Sequence, residues 1–178
     1  MNQPCAYRIR PGLIGEIEAL RDIERLAAER FAALGMDDIA ASEPTPADLL
    51  AKRIRQGRNF VAADAGDQPV GSAIFSVVDG CAHVEQLDVL PAHAGRRLGA
   101  RLIDRVADWA VGQGLGTLTL TTFATVPWNG PYYGRLGFAP VDPADLGSGL
   151  AAIRDAERER GLDTMAARIC MARPARRA

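Results

Sequence analysis

Apolar residues recur at three- and four-residue steps near the start of the chain. Leu13, Ile17, Leu20, Ile23, Leu26, Ala27, Phe31 and Leu34 predict one amphipathic helix that closes near Gly35. A short strand-like stretch at residues 6–9 precedes it and is ended by Pro11-Gly12. A loop holding Asp37, Asp38, Glu43, Pro44 and Pro46 follows, then a second short helix at residues 48–55 that stops at Gly57. From there the period drops to two. Asn59–Ala63, Pro69–Val78 and residues 82–90 read as strands, joined by Ala-Gly-Asp-Gln and Asp-Gly turns in the manner of antiparallel hairpins. Pro91 ends the third of them.

Beyond a glycine-bearing loop, Leu98, Leu102, Val106 and Trp109 form an apolar stripe, with Arg97, Arg101, Asp104, Arg105 and Asp108 mostly off it. That pattern predicts a helix covering a sheet. Gly112 and Gly114 stop it before a strand at 117–122. A short helix follows, with Asn129 as its cap and Pro131 in its first turn, and then a strand near 138–141. Residues 143–160 read as a mostly polar helix with Leu146, Leu150 and Ile153 on one side and Gly161 as its stop. Residues 167–172 make a last strand, and the tail Arg-Pro-Ala-Arg-Arg-Ala reads as loose. A meander of strands followed by strands alternating with helices gives the α/β class: a single mixed, mostly antiparallel central sheet flanked by helices. With no repeat, linker or shift of composition, residues 1–178 read as one domain.

Composition narrows the function. The 178 residues are 48% hydrophobic and 24% charged, which is ordinary globular usage. The 21 Lys and Arg against 22 Asp and Glu leave a net charge of −1, so the broad basic field of a nucleic-acid binder is absent. No uncharged apolar run reaches the ~18 residues of a membrane span, and the first dozen residues lack a signal peptide's apolar stretch. Cys5, Cys81 and Cys170 make an odd count, and with His83 and His93 they show no metal spacing. Cys81 and Cys170 also have no His/Asn partner pattern that would activate a nucleophile. These features predict a soluble cytoplasmic domain with reduced thiols and no metal, nucleic-acid or membrane partner.

The informative unit is the strand that runs through Pro91 into Ala94-Gly95-Arg96-Arg97-Leu98-Gly99 and opens a helix. Such a connection aims consecutive backbone N–H groups, and the positive end of a helix dipole, at one point suited to phosphate. Arg96 and Arg97 add cationic donors. The glycines stand four apart, which excludes GxGxxG, and the Walker pattern is missing its Gly-Lys-Ser/Thr.

This segment resembles the acyl-CoA-binding motif of the GCN5-related N-acetyltransferases, written Q/R-x-x-G-x-G/A after a strand ending in V-x-P. Ala94 stands at the Q/R position, Arg97 at the first glycine and Gly99 at the last. Residues 131–138, Pro-Tyr-Tyr-Gly-Arg-Leu-Gly-Phe, resemble the family's second segment, in the right order and at a compatible distance. The resemblance covers essentially the whole chain, with an extra helix at about 143–160. It implies the acyl-CoA N-acyltransferase-like fold and acetyl-CoA as the acyl-donor co-substrate. It also implies a cofactor-binding run over Ala94, Gly95, Arg96, Arg97, Leu98, Gly99 and Ala100. If Arg97 is already in the helix's first turn, the glycine it replaces brings no strain.

An amine must be neutral to attack a thioester, yet a primary alkyl amine has a pKa of about 10. The reaction therefore needs a proton acceptor, a donor to the thioester oxygen, and a proton for the departing thiolate. The resemblance implies a third strand splayed from the next, with the main chain of Leu87, Asp88 and Val89 along the pantetheine and the Leu87 N–H near the thioester oxygen. Glu85, and after it His83, are the candidate bases, two residues apart on one strand face. Gln86 and Asp88 turn their side chains the other way and read as structural. Tyr133 is the candidate donor to the sulfur, whereas Tyr132 reads as core. Asn129 binds the pantetheine arm or caps its helix, and Trp128 and Phe123 wall an acceptor pocket. Glu24, Glu29, Asp37, Asp38 and Glu43 form either a carboxylate cluster for a cationic amine or a solvated loop.

The leading expectation is an N-acetyltransferase acting on a small-molecule amine by direct attack in a ternary complex. The alternatives are a non-catalytic acyl-CoA-binding module, an acetyltransferase of a protein amino group, and a partner-binding domain using helix 143–160. Dimerisation is common in the family, and no residue here decides it.

Overall fold

A computed structural model describes residues 7–176. The start of the expected strand at 6–9, Cys5 and the last two residues of the tail lie outside the described residues. Seven strands, β1 (Arg8–Pro11), β2 (Asn59–Ala63), β3 (Pro69–Val78), β4 (Cys81–Val89), β5 (Thr117–Phe123), β6 (Ala139–Pro140) and β7 (Arg168–Pro174), form one sheet in the order β1-β2-β3-β4-β5-β7-β6. The β1–β2, β2–β3, β5–β7 and β6–β7 pairs are antiparallel, and β4–β5 is parallel. The mixed, mostly antiparallel α/β sheet expected from the sequence is therefore the one observed.

The helices are α1 (Ile17–Ala28), α2 (Asp37–Ala40), α3 (Ala47–Arg55), α4 (Leu98–Gly112), α5 (Gly130–Arg135), α6 (Ser148–Glu159) and α7 (Leu162–Met165). The chain divides into two compact units. One takes residues up to 75 together with Gln86–Val106, and the other takes Ser76–Glu85 with residues from 107 onward. Strands β3 and β4 and helix α4 each run through both.

In the first unit the predicted stripe packs as Leu20 and Ile23 of α1 against Leu50 of α3, Val61 of β2 and Ile74 of β3. The single helix expected over residues 13–34 tightens to 3₁₀ turns at Ile14–Glu16 and Glu29–Leu34. Gly35, at φ +70°, closes the second turn by letting its own N–H and that of Met36 reach back to Ala32 and Phe31. Leu26 and Leu34, counted in the stripe, are exposed at 42% and 47%. The loop expected at residues 37–46 holds the one-turn helix α2.

In the second unit the hairpin turn Asp79-Gly80 has both residues at positive φ, as a tight two-residue connection requires. Asp79 does more than turn the chain. Its carboxylate accepts from the N–H groups of Gly149 and Leu150, at 2.9 and 2.8 Å, and so caps the start of α6. The extra helix consequently begins at Ser148 rather than at 143, and Pro143–Asp145 is a separate 3₁₀ turn capped by Asp142. Strand β7 also outruns its expected end. Arg173 is buried, donates to the carbonyl of Leu136 at 2.7 Å, and lies over the Phe138 ring. The tail is thus held as far as Ala175, whose N–H bonds to Gly116. Among the described residues no helix is long and apolar enough to cross a membrane.

Candidate functional site

Every loop position singled out in the sequence falls in the first unit. Past Leu90 the chain makes a 3₁₀ turn at Pro91–His93, with the N–H groups of His93 and Ala94 bonded to Leu90 and Pro91. Two left-handed residues then alternate with their neighbours: Gly95 at φ +74° and Arg97 at φ +58°. Leu98 begins α4, whose earliest turn is marked by the N–H of Arg101 on the carbonyl of Arg97. Among the described residues, the backbone N–H groups from Gly95 to Ala100 have no protein acceptor. Left-handed residues set between residues of negative φ let successive N–H groups turn toward one point, as in an anion nest. The dipole of a 15-residue helix adds to it.

Arg97 is a correction to the sequence reading, which placed it in the helix's first turn. A left-handed conformation costs a residue with a Cβ about 1–2 kcal/mol. The loop keeps the backbone a glycine would adopt and carries a side chain as well. Arg96, Arg97 and Ala94 are exposed, whereas Leu98, Gly99 and Ala100 are buried.

Upstream on β4 in the same unit, Leu87 and Val89 are half-buried and Asp88 is buried. Gln86 donates to the Asp88 carboxylate at 2.8 Å. Burial, reinforced by the negative charge of Glu24 on α1, pushes the Asp88 carboxyl up to about 7. Burial also raises Glu24, which accepts from the N–H of Thr45 at 3.0 Å. By contrast, Asp37, Asp38, Glu43 and Glu29 are exposed, as a solvated loop and helix face would have them. The raised Asp88 has a signed consequence for stability. Its folded pKa lies above the unfolded value near 3.9, so folding is favoured at low pH and loses stability as pH rises from about 4 to about 7. Asp88→Asn is therefore expected to stabilise the ligand-free chain by ~1–3 kcal/mol at pH 8 and hardly at all at pH 4. Thermal unfolding at the two pH values checks this, and an equal effect at both would refute it.

The other candidates fall in the second unit. His83 is 3% exposed, and its Nδ1 shares a 3.0 Å hydrogen bond with the hydroxyl of Thr119, across the parallel register in which His83 faces Thr119. Burial holds its pKa below the usual value near 6.5, against the opposing pull of Glu85, Glu157 and Asp79, so the ring is neutral at pH 7. Glu85 is exposed. Among the described residues the β4–β5 register covers Ala82–Val84 against Leu118–Leu120.

Tyr133 is buried on α5, edge-on to Tyr132 at 5.4 Å and to Phe138 at 5.8 Å. Tyr132, expected in the core, is only half-buried, with Arg135 near its ring. At the start of α5 only glycine fits, because a Cβ on Gly130 would stand 2.3 Å from the Ala124 carbonyl oxygen. Asn129 does not cap α5 with its side chain. Its Nδ2 donates to Thr122 at 2.9 Å, and its buried Oδ1 has no partner. Trp128 is half-buried, and Phe123, expected as a pocket wall, is buried beneath the Arg168 guanidinium.

Sequence reasoning missed one charged group altogether. Glu157 of α6 is 4% exposed and accepts from Thr121, Arg154 and Arg168. Arg154 in turn bonds Asp163 through two contacts of 2.7 and 2.9 Å. Among the described residues no cluster of three His, Cys, Asp or Glu side chains could hold a metal.

In the first unit, a run of N–H groups without acceptors among the described residues, beside arginines, suits a phosphate-bearing ligand. The family model described as "Acetyltransferase (GNAT) family" matches residues 18–138, and the chain belongs to that family. Solved structures agree on the fold. A GNAT-family acetyltransferase from Staphylococcus aureus Mu50 superposes with a TM-score of 0.69 at 14% identity, over 96% of this chain and 100% of that one. The PaiA N-acetyltransferase of Thermoplasma acidophilum, in complex with coenzyme A, gives 0.70 at 14%, over 95% and 99%. The ribosomal-protein-S18-alanine N-acetyltransferase of Escherichia coli gives 0.65 at 21%, over 97% and 96%.

Proposed function

We propose that this chain moves an acetyl group from acetyl-CoA to the primary amine of a small molecule, by direct attack within a ternary complex. The observation that carries the proposal is the row of N–H groups from Gly95 to Ala100, which have no acceptor among the described residues and suit the diphosphate of coenzyme A. The main chain of Leu87, Asp88 and Val89 lies along the pantetheine, with the Leu87 N–H directed to the thioester oxygen, and Asn129 Oδ1 takes a pantetheine amide N–H. Glu85 accepts the amine proton, directly or through water, because it is the exposed one of the two strand candidates. His83 is the second choice, its Nδ1 already engaged by Thr119. The Tyr133 hydroxyl donates to the departing thiolate. The half-buried carboxyl of Glu24 favours an acceptor that is cationic before it reacts.

Titration with CoA and acetyl-CoA, followed by an amine panel read by free-thiol release, tests the proposal. At a hundredfold excess over Kd, binding adds about 2.7 kcal/mol and should raise Tm by roughly 5–10 °C. Turnover with small amines supports the reading. Turnover confined to an alanine-bearing peptide of ribosomal protein S18, the acceptor in the E. coli neighbour's name, moves the acceptor to protein. Binding without any turnover makes the chain a non-catalytic acyl-CoA module, and no shift with either CoA form overturns the proposal.

A further inference from the structure

Tyr7, the residue that leads into β1, makes four contacts with the loop and the first turn of α4. Its hydroxyl shares a 2.9 Å hydrogen bond with His93 Nδ1, and its ring stands edge-on to the His93 ring at 5.7 Å. The Arg96 guanidinium lies over the Tyr7 ring at 5.7 Å from its centre. Finally, Arg101 Nη2 donates to the Tyr7 carbonyl at 2.8 Å. One aromatic residue, some ninety positions away in sequence, thus gathers a histidine and two arginines around the turn at Gly95–Arg97.

We infer that Tyr7 is a positioning residue for coenzyme A, holding Arg96 so that its guanidinium edge faces a phosphate of the ligand. The inference rests on the reading of this loop as the CoA phosphate site. Its physical basis is that a cation–π contact holds a guanidinium without committing its N–H donors to a hydrogen bond. Among the described residues Arg96 makes no hydrogen bond or ion pair, so those donors are uncommitted. An exposed arginine would ordinarily sample many rotamers and lose them on binding. Held against the Tyr7 ring, with Tyr7 fixed by His93 and Arg101, it has less of that freedom to lose. Arg97 takes no part in these contacts and shapes the loop through its backbone.

A double-mutant cycle on CoA affinity, measured by calorimetry at constant salt, tests the assignment. Arg96→Ala is expected to weaken CoA about tenfold and Tyr7→Ala about fivefold, with the double variant no more than about twofold weaker than Arg96→Ala alone. Tyr7→Phe, which keeps the ring and loses the bond to His93, should lose about twofold. In Tyr7→Ala the KM for acetyl-CoA should follow Kd, with kcat and the KM for the amine unmoved. Losses that multiply in the double variant would overturn the role, as would an unaltered Kd in Tyr7→Ala. A fall in kcat and both affinities that tracks a lowered Tm would also overturn it, because Tyr7 would then be merely structural. A wild-type chain that binds no CoA brings down the underlying reading instead, before any variant is compared.

Discussion

Glu85→Gln is expected to lower kcat about 10²- to 10³-fold while leaving the Kd for CoA within about twofold of wild type. Gln keeps the size and one hydrogen-bonding oxygen of Glu but cannot take up a proton. The thioester still binds, and the amine meets it without a group to accept its proton. Tyr133→Phe should give a smaller loss, because water can protonate a thiolate less efficiently than a placed phenol does. Combined with Glu85→Gln, its effect should fall short of multiplying, since both groups serve one proton inventory. The acid limb of the pH–rate profile discriminates between the two strand candidates. If Glu85 is the base, Glu85→Gln removes that limb and His83→Asn keeps it. If the burial-depressed imidazole of His83 does the work, the limb survives in Glu85→Gln and vanishes in His83→Asn. Measurement of kcat over pH 5–9 for the three proteins decides it. A kcat in Glu85→Gln within threefold of wild type would remove the carboxylate from the mechanism.

Much of the architecture was legible because it follows from apolar periodicity. Leu20 and Ile23 are buried as their helical spacing requires, and strands Asn59–Ala63 and Pro69–Val78 begin and end where their turns predict. The Asp-Gly pair gave the hairpin. It could not reveal that the Asp79 carboxylate also caps α6, seventy residues downstream, because a cap between segments leaves no local pattern. The loop was legible as an anion site from glycine and helix placement, yet its backbone was not. Arg97 looked like a first-turn residue, since a left-handed arginine violates local preference and persists only where the surrounding structure dictates it. Tyr7 lay beyond sequence reasoning for a related reason: its partners at 93, 96 and 101 share no periodicity with it. On α6 the expected Leu150 is buried, but the rule that charge faces water failed beside it, for Arg154 and Glu157 share the buried face.

That buried face sets the second large effect. Glu157→Ala is expected to destabilise the chain by about 3–5 kcal/mol, because it strands cations that were removed from water on the strength of this carboxylate. Arg154 would keep Asp163, but among the described residues Arg168 would keep only the Thr121 hydroxyl, at 3.3 Å, as a hydrogen-bond partner, against contacts of 3.1 and 2.7 Å to Glu157 in the native chain. For a chain of this size the loss corresponds to a fall in Tm of roughly 10 °C or more. The pH dependence follows from opposing causes. Burial alone would raise the Glu157 pKa, but the hydrogen bonds from Arg168 and Thr121 and the surrounding positive charge outweigh it, and the folded value lies below the ordinary 4.5. A depressed carboxylate contributes stability above its unfolded pKa and loses it as pH falls through the folded one. Wild type and Glu157→Ala should therefore differ fully at pH 7 and converge below about pH 4. Thermal unfolding across that range checks both the size and the direction, and a difference under 1 kcal/mol at pH 7 would refute the account. Replacing Arg154, Glu157 and Arg168 together by apolar residues of similar volume should restore much of the lost stability, since no buried charge is then left without its counterpart and the half-exposed Asp163 keeps Arg158 at 3.6 Å. Such a triple variant that stays as unstable as Glu157→Ala would mean that shape, rather than stranded charge, is what the network supplies.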